Sequence, residues 1–290
     1  MSTIGKSKSN ITVIKLQQKK EKGQKFAALT AYDYPTAQLV DQSGIDLILV
    51  GDSVGMAVLG YDTTLPVTMD EMVHHCKCVS RGAHNALLVG DMPFLSYQIS
   101  PREAVRNAGR LVQEGGMDAV KLEGGRERLE TVRRIVEAGI PVMGHLGLTP
   151  QSVNQLGGFR AQGKTLTDAK RIYQDALLLQ EAGVFSLVLE SVPVQLAADI
   201  TKALKVPTIG IGSGPDCDGQ ILVIHDMVGM TDMQAPRFVK KYADVNALIR
   251  SSLQAYKDDV ENARFPEEVH SFLMDEQIYS DFSSLITKKE

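Results

Sequence analysis

The segment Ala86-Leu87-Leu88-Val89-Gly90-Asp91-Met92-Pro93-Phe94-Leu95-Ser96-Tyr97-Gln98-Ile99-Ser100-Pro101-Arg102-Glu103-Ala104 decides the fold. Its first residues form an unbroken apolar run. Such a run suits a parallel strand covered on both faces better than a half-exposed one. A polar turn follows at Asp91. Then Ser100, Pro101 and Glu103 supply an N-cap, a proline at the first helical position and a capping-box acid. Ala104, Ala108, Leu111 and Val112 continue as one apolar stripe, and Gly115-Gly116 ends it. The segment is one strand–turn–helix unit.

The same unit recurs on either side. Eight strands are expected, at Phe26–Thr30, Leu47–Gly51, Ala86–Gly90, Ala119–Leu122, Val142–Gly144, Ser186–Leu189, Thr208–Ile211 and Ile221–Ile224. Between them, Thr68 and Glu71 form a second capping box. Leu129, Val132, Ile135 and Val136 make a stripe stopped by Gly139, and Ser191-Val192-Pro193 opens a helix through Leu204. Regular alternation argues α/β, and eight units in one chain favour a single-domain (β/α)8 TIM barrel. No GxGxxG turn follows the first strand, which weakens dinucleotide binding. Ile11–Lys20 reads as an N-terminal helix before the first strand, covering the barrel floor, and Asp244–Val260 as the closing helix. The expected organisation is a flexible N-terminus over 1–10, the barrel over 11–260, and a C-terminal arm or tail over 261–290.

Composition narrows the function. The 290 residues carry a formal charge of -4 with no basic excess, so no nucleic-acid partner is expected. No apolar run reaches membrane-spanning length and no apolar signal core stands near the start, so no membrane partner is expected. The three cysteines, Cys76, Cys78 and Cys217, make no disulfide framework and fit a reducing cytoplasm.

Chemistry in such barrels sits at the C-terminal ends of the strands. Four acids stand there: Asp52, Asp91, Glu123 and Glu190. A single acid at such a spot can simply cap the next helix. Four at equivalent positions point to a shared rim, and Asp52, Asp91 and Glu123 come from adjacent strands. Clustered oxygen ligands suit a hard cation, Mg²⁺ before Ca²⁺ or Mn²⁺. Lys121 lies two residues before Glu123 and shares its strand face. It can hold an anionic substrate or form a structural ion pair. Glu190, flanked by Leu189 and Val192, lies across the mouth and suits a general base; the alternative is a helix-capping acid. His145 ends the fifth strand beside it and suits hydrogen bonding better than metal ligation.

Other features are weaker. Leu146–Thr165 and Gly55–Val67 are long enough to be lids. Gly210-Ile211-Gly212-Ser213-Gly214 can bind phosphate or simply pack closely. His74-His75-Cys76-Lys77-Cys78 lies inside a helix, where only His74 and Cys78 share a face, too few ligands for zinc.

Several stretches carry a resemblance. Thr30-Ala31-Tyr32-Asp33-Tyr34, Val50-Gly51-Asp52-Ser53-Val54-Gly55-Met56, Thr64-Leu65-Pro66-Val67-Thr68, Val120-Lys121-Leu122-Glu123-Gly124-Gly125, Gly144-His145-Leu146-Gly147-Leu148-Thr149-Pro150-Gln151-Ser152 and Asp218-Gly219-Gln220-Ile221-Leu222-Val223-Ile224-His225-Asp226 resemble the ketopantoate hydroxymethyltransferases, in order from about Ile14 to Phe272. The resemblance implies hydroxymethyl transfer from 5,10-methylenetetrahydrofolate to 3-methyl-2-oxobutanoate in pantothenate biosynthesis, with one Mg²⁺ per subunit. It implies Asp52 and Asp91 as metal ligands and Glu123 as the third acid. Substrate contacts fall to Asp52, Ser53, Asp91 and Lys121, and Glu190 is the proton acceptor. His145 has a supporting place. A cytoplasmic homo-oligomer, typically a decamer, is also implied. Ser213 departs from the alanine more usual in that glycine-rich turn, and the tail past Phe272 exceeds the usual family length.

Two rivals stay open on sequence. One is a barrel of the phosphoenolpyruvate mutase or isocitrate lyase type, which also handles 2-oxo acids on Mg²⁺. The other is a non-catalytic scaffold, against which the complete acid set argues.

Overall fold

The computed structural model describes residues 11–158, 160–231 and 236–287. The N-terminal segment 1–10, expected to be flexible, lies outside the described residues. Two compact units divide the chain between Tyr242 and Ala243.

The first unit is a closed, all-parallel barrel. Its strands are β1 (Phe26–Thr30), β2 (Leu47–Val50), β3 (Leu87–Asp91), β4 (Ala119–Lys121), β5 (Val142–Gly147), β6 (Ser186–Glu190), β7 (Thr208–Ile211) and β8 (Gly219–Leu222). They pair in sequence order, and β8 closes on β1. The helices are α1 (Val13–Glu21), α2 (Tyr34–Gln42), α3 (Val54–Ala57), α4 (Met69–Gly82), α5 (Pro101–Gln113), α6 (Leu129–Glu137), α7 (Val153–Leu156), α8 (Leu166–Ala182), α9 (Val194–Ala203) and α10 (Ile224–Met227).

The expected last strand needs a correction. It runs over Gly219–Leu222, not Ile221–Ile224, because Ile224 already begins α10. Pairing starts at a glycine with no apolar signal of its own. Gly219 pairs with Phe26 and Ile209. A β-carbon there would stand 2.4 Å from the Phe26 ring, so only glycine fits.

Side chains alternate along each strand, so residues two apart share a face. Leu47 and Leu49, Leu87 and Val89, Ala119, Met143, Val188 and Ile209 fill the barrel interior. Ile48, Val50, Leu88, Val120, Leu187 and Leu189 face the surrounding helices. Leu16 of α1, fully buried, joins the interior cluster. Lys20 of α1 reaches Asp218, just ahead of β8, at 2.7 Å. The floor-covering role expected for this helix is what these contacts describe.

The capping box expected at Thr68 forms, Ser100 caps the Glu103 N–H alone, and α9 starts at Val194 with no side-chain cap because Pro193 holds its N-cap position. Thr68 Oγ1 accepts from the Glu71 N–H at 3.2 Å, and Glu71 Oε2 accepts from the Thr68 N–H at 2.7 Å. Thr68→Ala should lower stability by about 1 kcal/mol. Chemical denaturation of the full chain checks this, and an unchanged midpoint would contradict it.

The second unit, 243–290, contains α11 (Val245–Glu261) and α12 (Glu276–Thr287). The helix expected to close the barrel therefore groups with the tail. α12 was not expected, although Ile278, Tyr279, Phe282, Leu285 and Ile286 carry helical spacing. Among the described residues no helix is long and apolar enough to cross a membrane.

Candidate active site

The interior parity carries straight into the site. Asp91 continues the inward row of Leu87 and Val89, Lys121 and Glu123 that of Ala119, His145 that of Met143, and Glu190 that of Val188. All therefore point into the mouth at the C-terminal strand ends. Asp52 and Ser53 follow β2 in the turn that opens α3. All seven expected site residues line one cavity of about 570 Å³.

The charged groups form a chain. Lys121 Nζ stands 2.9 Å from Asp91 Oδ1 and 3.8 Å from Glu123 Oε1. His145 Nδ1 lies 3.4 Å from Glu123 Oε1, and its Nε2 lies 3.3 Å from Glu190 Oε2. The imidazole thus spans the gap between the acid cluster and the acid across the mouth. Ser53 Oγ hydrogen-bonds the buried Tyr32 hydroxyl at 2.8 Å.

Burial makes these charges costly unless paired. Burial, then the charges of Asp91 and Glu123, push the Asp52 carboxyl well above its ordinary value. Burial also raises Asp91, against the pull of Lys121. Glu123 goes the other way: burial is outweighed by His145, Lys121 and the Gln151 N–H, which hold it low. Burial and Lys121 push the imidazole of His145 down, but Glu123 and Glu190 prevail and carry it up to about 9. Three acids thus share Lys121 and, on the Glu123 side, the protonated His145, while burial and mutual repulsion still raise Asp52 and Asp91.

That repulsion fits a divalent cation. Among the described residues no three Asp, Glu, His or Cys side chains stand as a ready-made metal cage. Mg²⁺ rarely needs one: it is held by one or two carboxylates, with water and substrate oxygens completing an octahedron. Asp52 and Asp91 are neighbours here, the Asp52 N–H donating to Asp91 Oδ2 at 3.1 Å. Asp91 Oδ1 and Glu123 Oε1 are buried with no aligned hydrogen bond and rely on the Lys121 and His145 cations beside them. Oxygens in that state suit a cation and its water.

The backbone around Glu190 is tightly held. Gly147 has φ +97°, and a β-carbon there would fall 2.2 Å from the Glu190 carbonyl oxygen, so β5 can pass β6 only as glycine. Ser191 adopts φ +51°, uncommon for a non-glycine residue. Ser213 Oγ donates to the Leu189 carbonyl at 2.8 Å and accepts from the Val192 N–H at 3.0 Å. The glycine-rich turn thus stitches the Glu190 segment in place.

The sequence profile of ketopantoate hydroxymethyltransferase matches residues 10–268. The chain is 57% identical over 274 residues to 3-methyl-2-oxobutanoate hydroxymethyltransferase of Acetivibrio thermocellus, covering 94% of this chain and 97% of that protein. It is 58% identical over 265 residues to the enzyme of the same name from Moorella thermoacetica, covering 91% and 98%.

The chain belongs to the ketopantoate hydroxymethyltransferase family.

It is accordingly an enzyme of the transferase class. Solved structures similar in fold include phosphonopyruvate hydrolase, at TM-score 0.61 and 11% identity over 96% of this chain and 97% of that one. Another is 2,3-dimethylmalate lyase, a member of the phosphoenolpyruvate mutase/isocitrate lyase superfamily, at TM-score 0.57 and 14% identity over 95% of each chain. The rival barrel class weighed on sequence thus shares the fold, while ketopantoate hydroxymethyltransferase membership rests on the far higher sequence identity.

Some cavity residues were not singled out by their own chemistry, although Thr64 and Asp226 stand in the family stretches and Arg160 in a candidate lid. Thr64, Arg160, Asp226 and Arg237 line the same cavity. Gln151 and Tyr97 are buried beneath it and touch its acids. Gln151 lies inside a quoted family stretch, but a glutamine in a loop announces no chemistry until its neighbours are known.

Proposed function

We propose that the chain transfers a hydroxymethyl group from 5,10-methylenetetrahydrofolate to 3-methyl-2-oxobutanoate, giving 2-dehydropantoate (ketopantoate) in pantothenate biosynthesis. The observation that carries this is the line Asp91–Lys121–Glu123–His145–Glu190, each neighbour 2.9–3.8 Å from the next, at the mouth of a barrel whose relatives bear that name.

Asp52 and Asp91 would hold Mg²⁺, with Glu123 as the third acid beside it. A bound Mg²⁺ supplies Lewis-acid stabilisation at the keto oxygen, where negative charge develops. Lys121 and the Ser53 hydroxyl orient the anionic 2-oxo acid. The bond to be broken is the C3–H bond next to the ketone, a weak acid. Glu190 faces the cluster across the cavity and accepts that proton. His145, carrying its proton at neutral pH, holds the Glu190 carboxylate in place. The C3 carbon then forms its bond to the one-carbon unit of the folate. Net, water provides the hydroxyl oxygen and tetrahydrofolate leaves. The same reading carries a cytoplasmic homo-oligomer, a decamer, acting on small molecules.

The test is deuterium exchange at C3 of 3-methyl-2-oxobutanoate, followed by NMR with the full chain. Exchange should appear with Mg²⁺ and fall to background when chelator removes it. Addition of 5,10-methylenetetrahydrofolate should then give ketopantoate. A chain that exchanges no C3 hydrogen with Mg²⁺ present would end the reading.

A further inference from the structure

Gln151 ties together turns far apart in the chain. It lies in a short 3-10 turn after β5 and is 5% exposed. Its Nε2 donates to Asp52 Oδ2 and to the Met92 carbonyl, both at 2.9 Å. Its Oε1 accepts from the Tyr97 hydroxyl at 2.7 Å and from Gln98 Nε2 at 3.1 Å. Its own backbone N–H donates to Glu123 Oε2 at 3.1 Å. The Tyr97 hydroxyl in turn accepts from the Glu123 N–H at 3.2 Å. One residue therefore touches both Asp52 and Glu123, and the turns after β2, β3, β4 and β5 meet at it.

The network leaves the amide one orientation. Two donors converge on Oε1 and two acceptors on Nε2. A flipped amide would set its oxygen against a carboxylate and a carbonyl, and its NH₂ against the donors. As it stands, one oxygen of each carboxylate is held by a neutral amide donor. Asp52 is held through Oδ2 by Gln151, Asp91 through Oδ2 by the Asp52 N–H, and Glu123 through Oε2 by the Gln151 N–H. The amide is also neutral. It fixes Asp52 without adding a positive charge that would compete with a cation, as a second lysine would.

We propose that Gln151, oriented by Tyr97, is a positioning residue for the cation: its amide clamps Oδ2 of Asp52 so that Oδ1 is presented to Mg²⁺, and its backbone N–H holds Oε2 of Glu123 so that Oε1 stays between Lys121 and His145 beside the ion's water. This rests on the Mg²⁺ reading above. Partners behind metal ligands commonly contribute about 10- to 100-fold in affinity or activity.

The test uses the full chain and Mg²⁺ alone, titrated by calorimetry. Thermal unfolding and C3 exchange are followed in parallel. Gln151→Met keeps the bulk of the side chain and removes every polar atom of it. It should bind Mg²⁺ about 10- to 100-fold more weakly, with C3 exchange recovering as Mg²⁺ is raised in proportion. A part in folding alone would lower Tm yet leave the Mg²⁺ affinity of the folded chain unchanged, and that result overturns the proposal. Tyr97→Phe removes a single oxygen and should weaken Mg²⁺ several-fold in the same direction. If Gln151→Met does not fold, unchanged Mg²⁺ affinity in Tyr97→Phe is the overturning result. Wild-type chain that neither binds Mg²⁺ nor exchanges would remove the functional reading itself, a failure visible before any variant is made.

Discussion

Glu190→Gln should cut C3 deuterium exchange and ketopantoate formation by about 10²- to 10⁴-fold, the usual contribution of a positioned general base. The substitution is nearly isosteric and removes the proton-accepting charge. Glu190 is separated from Asp52 and Asp91 by the cavity, and its close charged neighbour is His145, 3.3 Å away. Mg²⁺ affinity and binding of 3-methyl-2-oxobutanoate should therefore stay within a few-fold of wild type. The imidazole beside it is the obvious competitor for the role. However, Glu123 and Glu190 outweigh burial and Lys121 and raise its pKa to about 9, so at neutral pH it already carries its proton and is a poor acceptor. Exchange NMR on the variant decides between them. Retention of more than about a tenth of wild-type exchange, against the loss expected of a general base, would move the base elsewhere, His145 first.

Lys121→Met should be the most destabilising single change in the site. Lys121 is almost wholly buried and meets Asp91 at 2.9 Å and Glu123 at 3.8 Å. Asp91, Glu123 and Asp52, in that order, hold its ammonium above its ordinary pKa, against the effect of burial. Methionine matches the aliphatic stem but leaves the acids without their lysine. Breaking one side of a buried pair costs about 3–5 kcal/mol, because the remaining charge stays desolvated. At this chain length that is roughly 5–8 °C in Tm. The loss should be largest in chelator and shrink when Mg²⁺ is added, since a cation binding the folded form both compensates the acids and stabilises by mass action. Thermal unfolding of both proteins in chelator and in Mg²⁺ measures this. An equal Tm in chelator would show that the acids do not depend on Lys121.

Much of the site follows from period-two arithmetic on the strands. Once Leu87 and Val89, Ala119, Met143 and Val188 are taken as inward, Asp91, Lys121, Glu123, His145 and Glu190 must face the same mouth. Strand ends mislead where the signal is not apolar. Gly219 begins β8 because Phe26 lies over it, and no hydropathy pattern carries that. The helix α12 shows the reverse: its spacing is present, but in a segment the sequence reads as an arm or tail.

Gln151 marks the boundary between the two kinds of information. By itself the amino-acid sequence determined the barrel, the rim acids, Lys121 on the face of Glu123, and the family, because strand periodicity, caps and strand-end chemistry are local patterns. Only the folded chain decided which atoms meet. Gln151 reaches Asp52 across 99 positions and Met92 across 59, and His145 comes to stand between Glu123 and Glu190. Those contacts depend on where loop backbones close over the barrel mouth, and the directional demands of hydrogen bonds select them only after hydrophobic burial has brought the strand ends together.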